Sequence, residues 1–319
     1  MRPGAALTGA LLATLAAPAT WPLALAVFLL RGGILLVVLP IVVLPSPVGL
    51  ANLLAPTLIE VILGGVSVEI AAIVTLGTLG IMTWIVLGGL VAATLEADSV
   101  RTVASADYGS AATTVIDHTV DSDRVVAARI LAARIIAHAP TGIALILGSI
   151  RLVDVAYIEL TSPDDVTVPI VLRVLLGAPE VSGALILVWA IGEIVGGLAT
   201  RRIVLDGITV AGALRDAVRA MVRHPIGVVA GFVLPLAGLV LVTLPSAVAA
   251  NVAWSAVRAA MGSPTDLVLG TLAVLVFVSL WIVGLTLIGV TAAWRAAVWS
   301  VAHGHLWPRQ AHLAGSTED

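Results

Sequence analysis

The chain has 319 residues, of which 60 % are hydrophobic and only 11 % charged, with a mean hydropathy of +1.14. A soluble domain carries about 25 % charge, so this surface cannot be covered by water and lipid must cover it instead. The same figures exclude intrinsic disorder, which needs low hydrophobicity and high charge, and they count against a globular cytosolic enzyme. The formal net charge is −3 and all 16 basic residues are arginine. Cysteine is absent, so there is no disulfide, thiolate metal site or cysteine nucleophile.

In chain order, six apolar runs reach the roughly 20 residues that a bilayer crossing takes. They lie near 22–44, 70–94, 140–160, 181–200, 225–245 and 267–291. Backbone groups in lipid must bond internally, so the runs are expected to be helices. The arginines set the expected orientation. Twelve fall in the N-terminus, segments 95–139 and 201–224 and the C-terminal end, against Arg151, Arg173 and Arg258 on the other side. This predicts six spans with both termini cytoplasmic in the cell membrane. Arg2, the stretch Ala5–Ala17 and the Ala17-Pro18-Ala19 string imitate a cleaved signal peptide. Cleavage there would leave the Arg-free segment 45–69 facing the cytoplasm, against the arginine rule.

A shift of 85 residues brings Arg134 onto Arg219, Pro140 onto Pro225 and Gly142 onto Gly227. The same shift brings Arg173, Gly177 and Pro179 onto Arg258, Gly262 and Pro264. A unit follows from these anchors: a short cytoplasmic helix stopped by proline, a span, a short outer helix ending at Gly-x-Pro, and a returning span. The first third fits more loosely, through a helix near 5–17, Pro18, Pro56 and Gly64–Gly65. The expected fold is all-α: one polytopic membrane domain of three parallel helix-plus-hairpin repeats with interfacial helices. The repeats lie at about 1–94, 122–200 and 207–291, with a polar loop at 95–121 and a tail at 292–319.

Several constellations could carry chemistry. On a helix near 209–223, Arg215, Arg219 and Arg223 share one face, with Asp216 beside them. Val210, Leu214, Val218, Met221 and Val222 share the other, the pattern of an interfacial helix with its basic side at lipid phosphates. Two charges, Arg31 and Glu193, fall inside spans, where such residues mark function by default. Counted from Trp21 and from Arg201, both lie roughly 12–15 Å from the cytoplasmic side, and they are expected to pair. Gly32, Gly33, Gly192, Gly196 and Gly197 flank them and would permit close helix contact. Asp117, His118, Asp121 and Asp123 read as a solvated acidic loop. His303, His305 and His312 read as surface residues of the tail, and Trp294, Trp299 and Trp307 with Arg295 as an interfacial belt. No metal, cofactor or nucleic-acid motif occurs.

The stretch Leu198–Val233, LATRRIVLDGITVAGALRDAVRAMVRHPIGVVAGFV, resembles a recurring pattern of bacterial and archaeal multi-pass membrane proteins. These are similar to the membrane domain fused to some glycerophosphodiester phosphodiesterases. A Gly-rich span ends there in basic residues, then come an Ala-Leu-basic helix and a basic-Pro turn. The resemblance implies a multi-pass membrane module acting on membrane or envelope lipids. The phosphodiesterase domain is missing, so no enzymatic residue carries over. The expected function is a non-enzymatic membrane protein that engages anionic lipids or a membrane partner through Arg215, Arg219 and Arg223. The alternative is a small-solute or ion transporter built on Arg31 and Glu193.

Overall fold

The computed structural model describes residues 3–38, 41–42, 49, 52, 56–57, 59–60, 63–65, 67–108, 122–162, 168, 170–261 and 267–307. Among them every regular element is helical. The helices are α1 (Pro3–Ala16), α2 (Thr20–Phe28), α3 (Ile34–Val38), α4 (Val68–Thr83), α5 (Gly89–Tyr108) and α6 (Asp123–Thr161). Then follow α7 (Ile170–Gly177), α8 (Pro179–Asp206), α9 (Val210–Arg223), α10 (Pro225–Met261) and α11 (Leu267–Leu306). Wider π-type turns, Leu29–Gly33 and Trp84–Gly88, join α2 to α3 and α4 to α5.

Six helical stretches are long and apolar enough to cross a membrane: Thr20–Val38, Val68–Ser105, Asp123–Thr161, Pro179–Asp206, Pro225–Met261 and Val268–Leu306. The chain is therefore a multi-pass membrane protein. All six expected runs carry a long apolar helix, and from the second onward the helices outrun them, while the described part of the first ends at Val38. The expected loop at 95–121 begins as helix through Tyr108, and the expected tail at 292–319 is helical to Leu306. Polarity ends a hydropathic run before it ends a helix: Ala93, Ala97, Val100 and Ala104 keep helical spacing and are all buried. Asp117, His118, Asp121 and His312 lie outside the described residues, as do Gly262 and Pro264.

The prolines behave differently from one another. Pro18 separates α1 from α2, where Trp21 Nε1–H donates to Thr14 O at 2.9 Å across the corner. Pro225 opens α10 after His224 leaves helical geometry (φ −130°, ψ 51°), and Pro at the first helical position loses no bond. Pro140, by contrast, sits inside an unbroken α6. The short helix expected to stop there is continuous with the span.

The chain divides into two compact units. The first comprises Met1–Ile41, Gly89–Ala133 and Ile194–Asp319. Its interior is built largely of small residues. Ala6, Ala10, Val103, Ala297 and Val298 form one cluster, and Val37, Leu239 and Ile288 another. In lipid, tight backbone approach replaces the hydrophobic drive that water would supply. A Cβ on Gly289 would come within 3.1 Å of Trp21 O, and one on Gly284 within 3.1 Å of Ser246 Cβ. The second unit comprises Val42–Gly88 and Arg134–Glu193. It is looser: no residue of α4 is buried. Arg173 of α7 is buried with Glu159 Oε2 at 3.0 Å, and Gly177 is packed by Val155.

Candidate functional site

Within the first unit, the Arg31 segment is a built-in helix break. Arg31 (φ −88°, ψ 20°) and Gly32 (φ 101°, ψ −7°) leave helical geometry inside the first span. Only glycine takes a φ of that sign without steric cost. Gly33 is needed for another reason, since a Cβ there would overlap the Phe28 ring. The break turns Arg31 toward Glu96 of α5, and the two form an ion pair. Glu96 is also held by Arg201 Nη1 at 2.9 Å. Arg201 in turn donates to Gly197 O at 3.0 Å and to Ala296 O at 2.8 Å. Its side chain is 2 % exposed and that of Glu96 6 %. A charge buried this deeply is tolerated when paired and hydrogen-bonded, and here one carboxylate joins two guanidiniums on three helices.

One helical residue further on, Arg202 leads a second group. It pairs with Asp206 on its own helix and donates from Nη2 to Asp216 Oδ2 on α9 at 2.7 Å. Asp206 Oδ2 also takes a 2.7 Å hydrogen bond from His303 Nε2 of α11. Trp307 packs on His303, with ring centroids 5.3 Å apart, and Arg202 lies 5.0 Å over the Trp307 ring. His303 is 4 % exposed, so the expectation of a surface residue is corrected. Its neighbour His305 is exposed, because two helical residues are about 200° apart. The tryptophan belt is likewise corrected. Trp299 is buried beneath Gly197 and Gly231, and Trp294 Nε1–H donates to Leu7 O at 3.1 Å.

α8 ends at Gly207, whose φ of 67° suits a left-handed helix cap; its N–H reaches Ile203 O at 3.2 Å. The chain then enters α9 through Thr209, whose hydroxyl accepts from Gly212 N–H at 3.4 Å. Ala213, Ala217 and Ala220 form the buried stripe of α9. Arg215, Arg219 and Arg223 are exposed on one face as the spacing predicts, with Asp216 Oδ1 3.8 Å from Arg219. The apolar face needs refinement. Val218 and Val222 are exposed and sit between the alanine stripe and the arginines.

In the second unit, Glu193 of α8 lies with Oε1 3.3 Å from His138 Nε2 and Oε2 3.7 Å from Arg134 Nη1, both on α6. Among the described contacts, Arg31 pairs with Glu96, and Glu193 lies against His138 and Arg134. Glu96 falls in the expected loop because the apolar run stops two residues earlier, and Arg201, Arg202 and Arg134 enter the sequence reading only through the orientation rule. Among the described residues no group of three or more His, Asp and Glu is placed to hold a metal ion.

No protein-family model, no curated protein and no solved structure matches the chain.

Proposed function

We propose that this is a non-enzymatic membrane protein that engages anionic lipid headgroups at the cytoplasmic face through α9, with both termini on that side. The exposed arginine strip of Arg215, Arg219 and Arg223 beside exposed Val218 and Val222 carries the reading. The helix is held in place independently of lipid, by its alanine stripe and by the Arg202–Asp216 pair. Its arginines are thus presented and not consumed by folding. Each cation near an anionic surface contributes about 1 kcal/mol. The likeness of Leu198–Val233 to membrane domains joined to phosphodiesterases of lipid-derived substrates points the same way. The three-fold parallel repeat belongs to this proposal, with α9 as the interfacial helix of the third repeat.

The test is anionic-lipid retention by protein reconstituted in phosphatidylcholine–phosphatidylglycerol nanodiscs and then exchanged into detergent. Replacing all three arginines by glutamine is expected to lower phosphatidylglycerol affinity by up to roughly a hundredfold, from three such contributions. Unchanged retention ends the proposal.

A second reading, transport of a small solute or ion, is favoured by the helix break at Arg31–Gly32, since interrupted spans supply binding groups at membrane depth. Single cysteines at Gly32 and Gly196 test it in this cysteine-free chain. Labelling by an impermeant maleimide, blocked by an added solute, supports transport. No labelling, while a cysteine at Gly212 reacts, removes it.

A further inference from the structure

The contacts of His138 raise a question of proton count. Its Nδ1 lies 3.0 Å from Arg134 O, the carbonyl one turn back on α6. Its Nε2 lies 3.3 Å from Glu193 Oε1. A backbone carbonyl only accepts, so Nδ1 must carry a hydrogen to bond it. In that Nδ1–H tautomer the bare Nε2 of a neutral ring faces a carboxylate, two acceptors opposed at 3.3 Å. One further proton resolves the conflict. It rests either on Nε2, giving an imidazolium–carboxylate pair, or on Oε1, giving a carboxylic acid that donates to Nε2.

The seat for this pair is shaped by Gly192. A Cβ there would come 2.9 Å from Ala137 O and 3.1 Å from His138 Cδ2, so the glycine lets α8 lie against the ring. Arg134 is the other charged group described against the pair, at 3.7 Å from the second carboxylate oxygen. The side chains of His138 and Glu193 are 28 % and 18 % exposed. Both helices are membrane-crossing stretches, where chains of His and Glu mark proton pathways.

We propose that His138 and Glu193 form an intramembrane binding site for a single exchangeable proton. The proton is taken up from water as hydronium and passes between Nε2 and Oε1; no other bond is made or broken. This site is separate from the arginine face of α9, so it stands or falls independently of lipid engagement.

The experiment is pH-difference infrared spectroscopy of the full chain reconstituted in phosphatidylcholine vesicles. The wild type is expected to show a pH-dependent carboxyl C=O band. The band should be lost in Glu193→Gln, shifted in His138→Gln, and present but shifted in Glu193→Asp. Gly192→Ala keeps both groups but pushes the helices apart, and should shift the same band. If Glu193→Gln does not fold, His138→Gln and Gly192→Ala carry the test alone. Wild-type spectra in Glu193→Gln, or in both His138→Gln and Gly192→Ala, overturn the proposal.

Discussion

Two carboxylates that lie beside arginines, Glu96 and Glu193, are held in different ways. Glu96 is wrapped: Arg31 and Arg201 both bind it, Arg201 is further fixed by two carbonyls, and its side chain is 6 % exposed. Glu193 has described partners at 3.3 and 3.7 Å, one of them an imidazole ring, and three times the exposure. The first arrangement ties α5, α8 and the break after α2 together. The second includes an imidazole ring. Similar residue types thus serve fixation in one unit and exchange in the other, and the distinction lies in closure, not in composition.

The largest expected effect breaks the wrapped cluster. Glu96→Gln leaves two guanidiniums without the carboxylate that joins them. Removing one partner of a buried ion pair costs about 3–5 kcal/mol. Glu193→Gln removes a partly exposed, longer contact, for which about 1 kcal/mol is the expected scale. Thermal unfolding of both variants in the same detergent checks the contrast. Equal losses would mean that the two clusters do the same job.

A smaller effect tests whether the break at Arg31 is imposed. Gly32→Ala places a side chain at φ 101°, and left-handed backbone costs an alanine about 1–2 kcal/mol. If the segment instead became a regular helix, Arg31 would swing away from Glu96. The loss would then approach that of Glu96→Gln, and unfolding of the double variant Gly32→Ala/Glu96→Gln would be no worse than of Glu96→Gln alone. Additive losses would show that the strain and the ion pair are separate terms.

Much of this was legible from residue spacing. The six spans followed from hydropathy because length and apolarity are what a bilayer selects. The arginine face of α9 followed from a four-residue repeat that has one geometric meaning on a helix. What spacing could not provide was pairing. Pro140 and Pro225 share a register with arginine and glycine neighbours, yet only Pro225 starts a helix. A proline merely permits a break. At Pro225 the chain has already been turned at Gly207 and α9 is latched back on Arg202, whereas α6 has no such constraint described at Pro140. Glu96 escaped for a related reason: it is polar by composition and buried by position, and its partner Arg201 is 105 residues away. His303 neighbours a polar tail and so reads as a surface residue, but α11 runs on to Leu306 and that sets its buried face.

The smallest effect concerns the latch itself. Asp216 holds α9 through Arg202 with a contact at 2.7 Å, in a partly exposed setting. Asp216→Asn keeps the shape and removes the charge, so a loss of about 1 kcal/mol is expected. Global unfolding would scarcely register it, whereas amide exchange in Val210–Arg223 should, because local openings have their own free energies. Exchange in α9 is expected to rise about fivefold, with α10 and α11 unchanged. The alanine stripe would still seat the helix, and the arginine strip would still face outward. Phosphatidylglycerol retention should therefore survive Asp216→Asn while it falls with the triple arginine replacement. If the single change abolished retention as well, the orientation of α9 would depend on the latch and not on its alanines. Lipid binding would then be controlled from Arg202, within reach of His303.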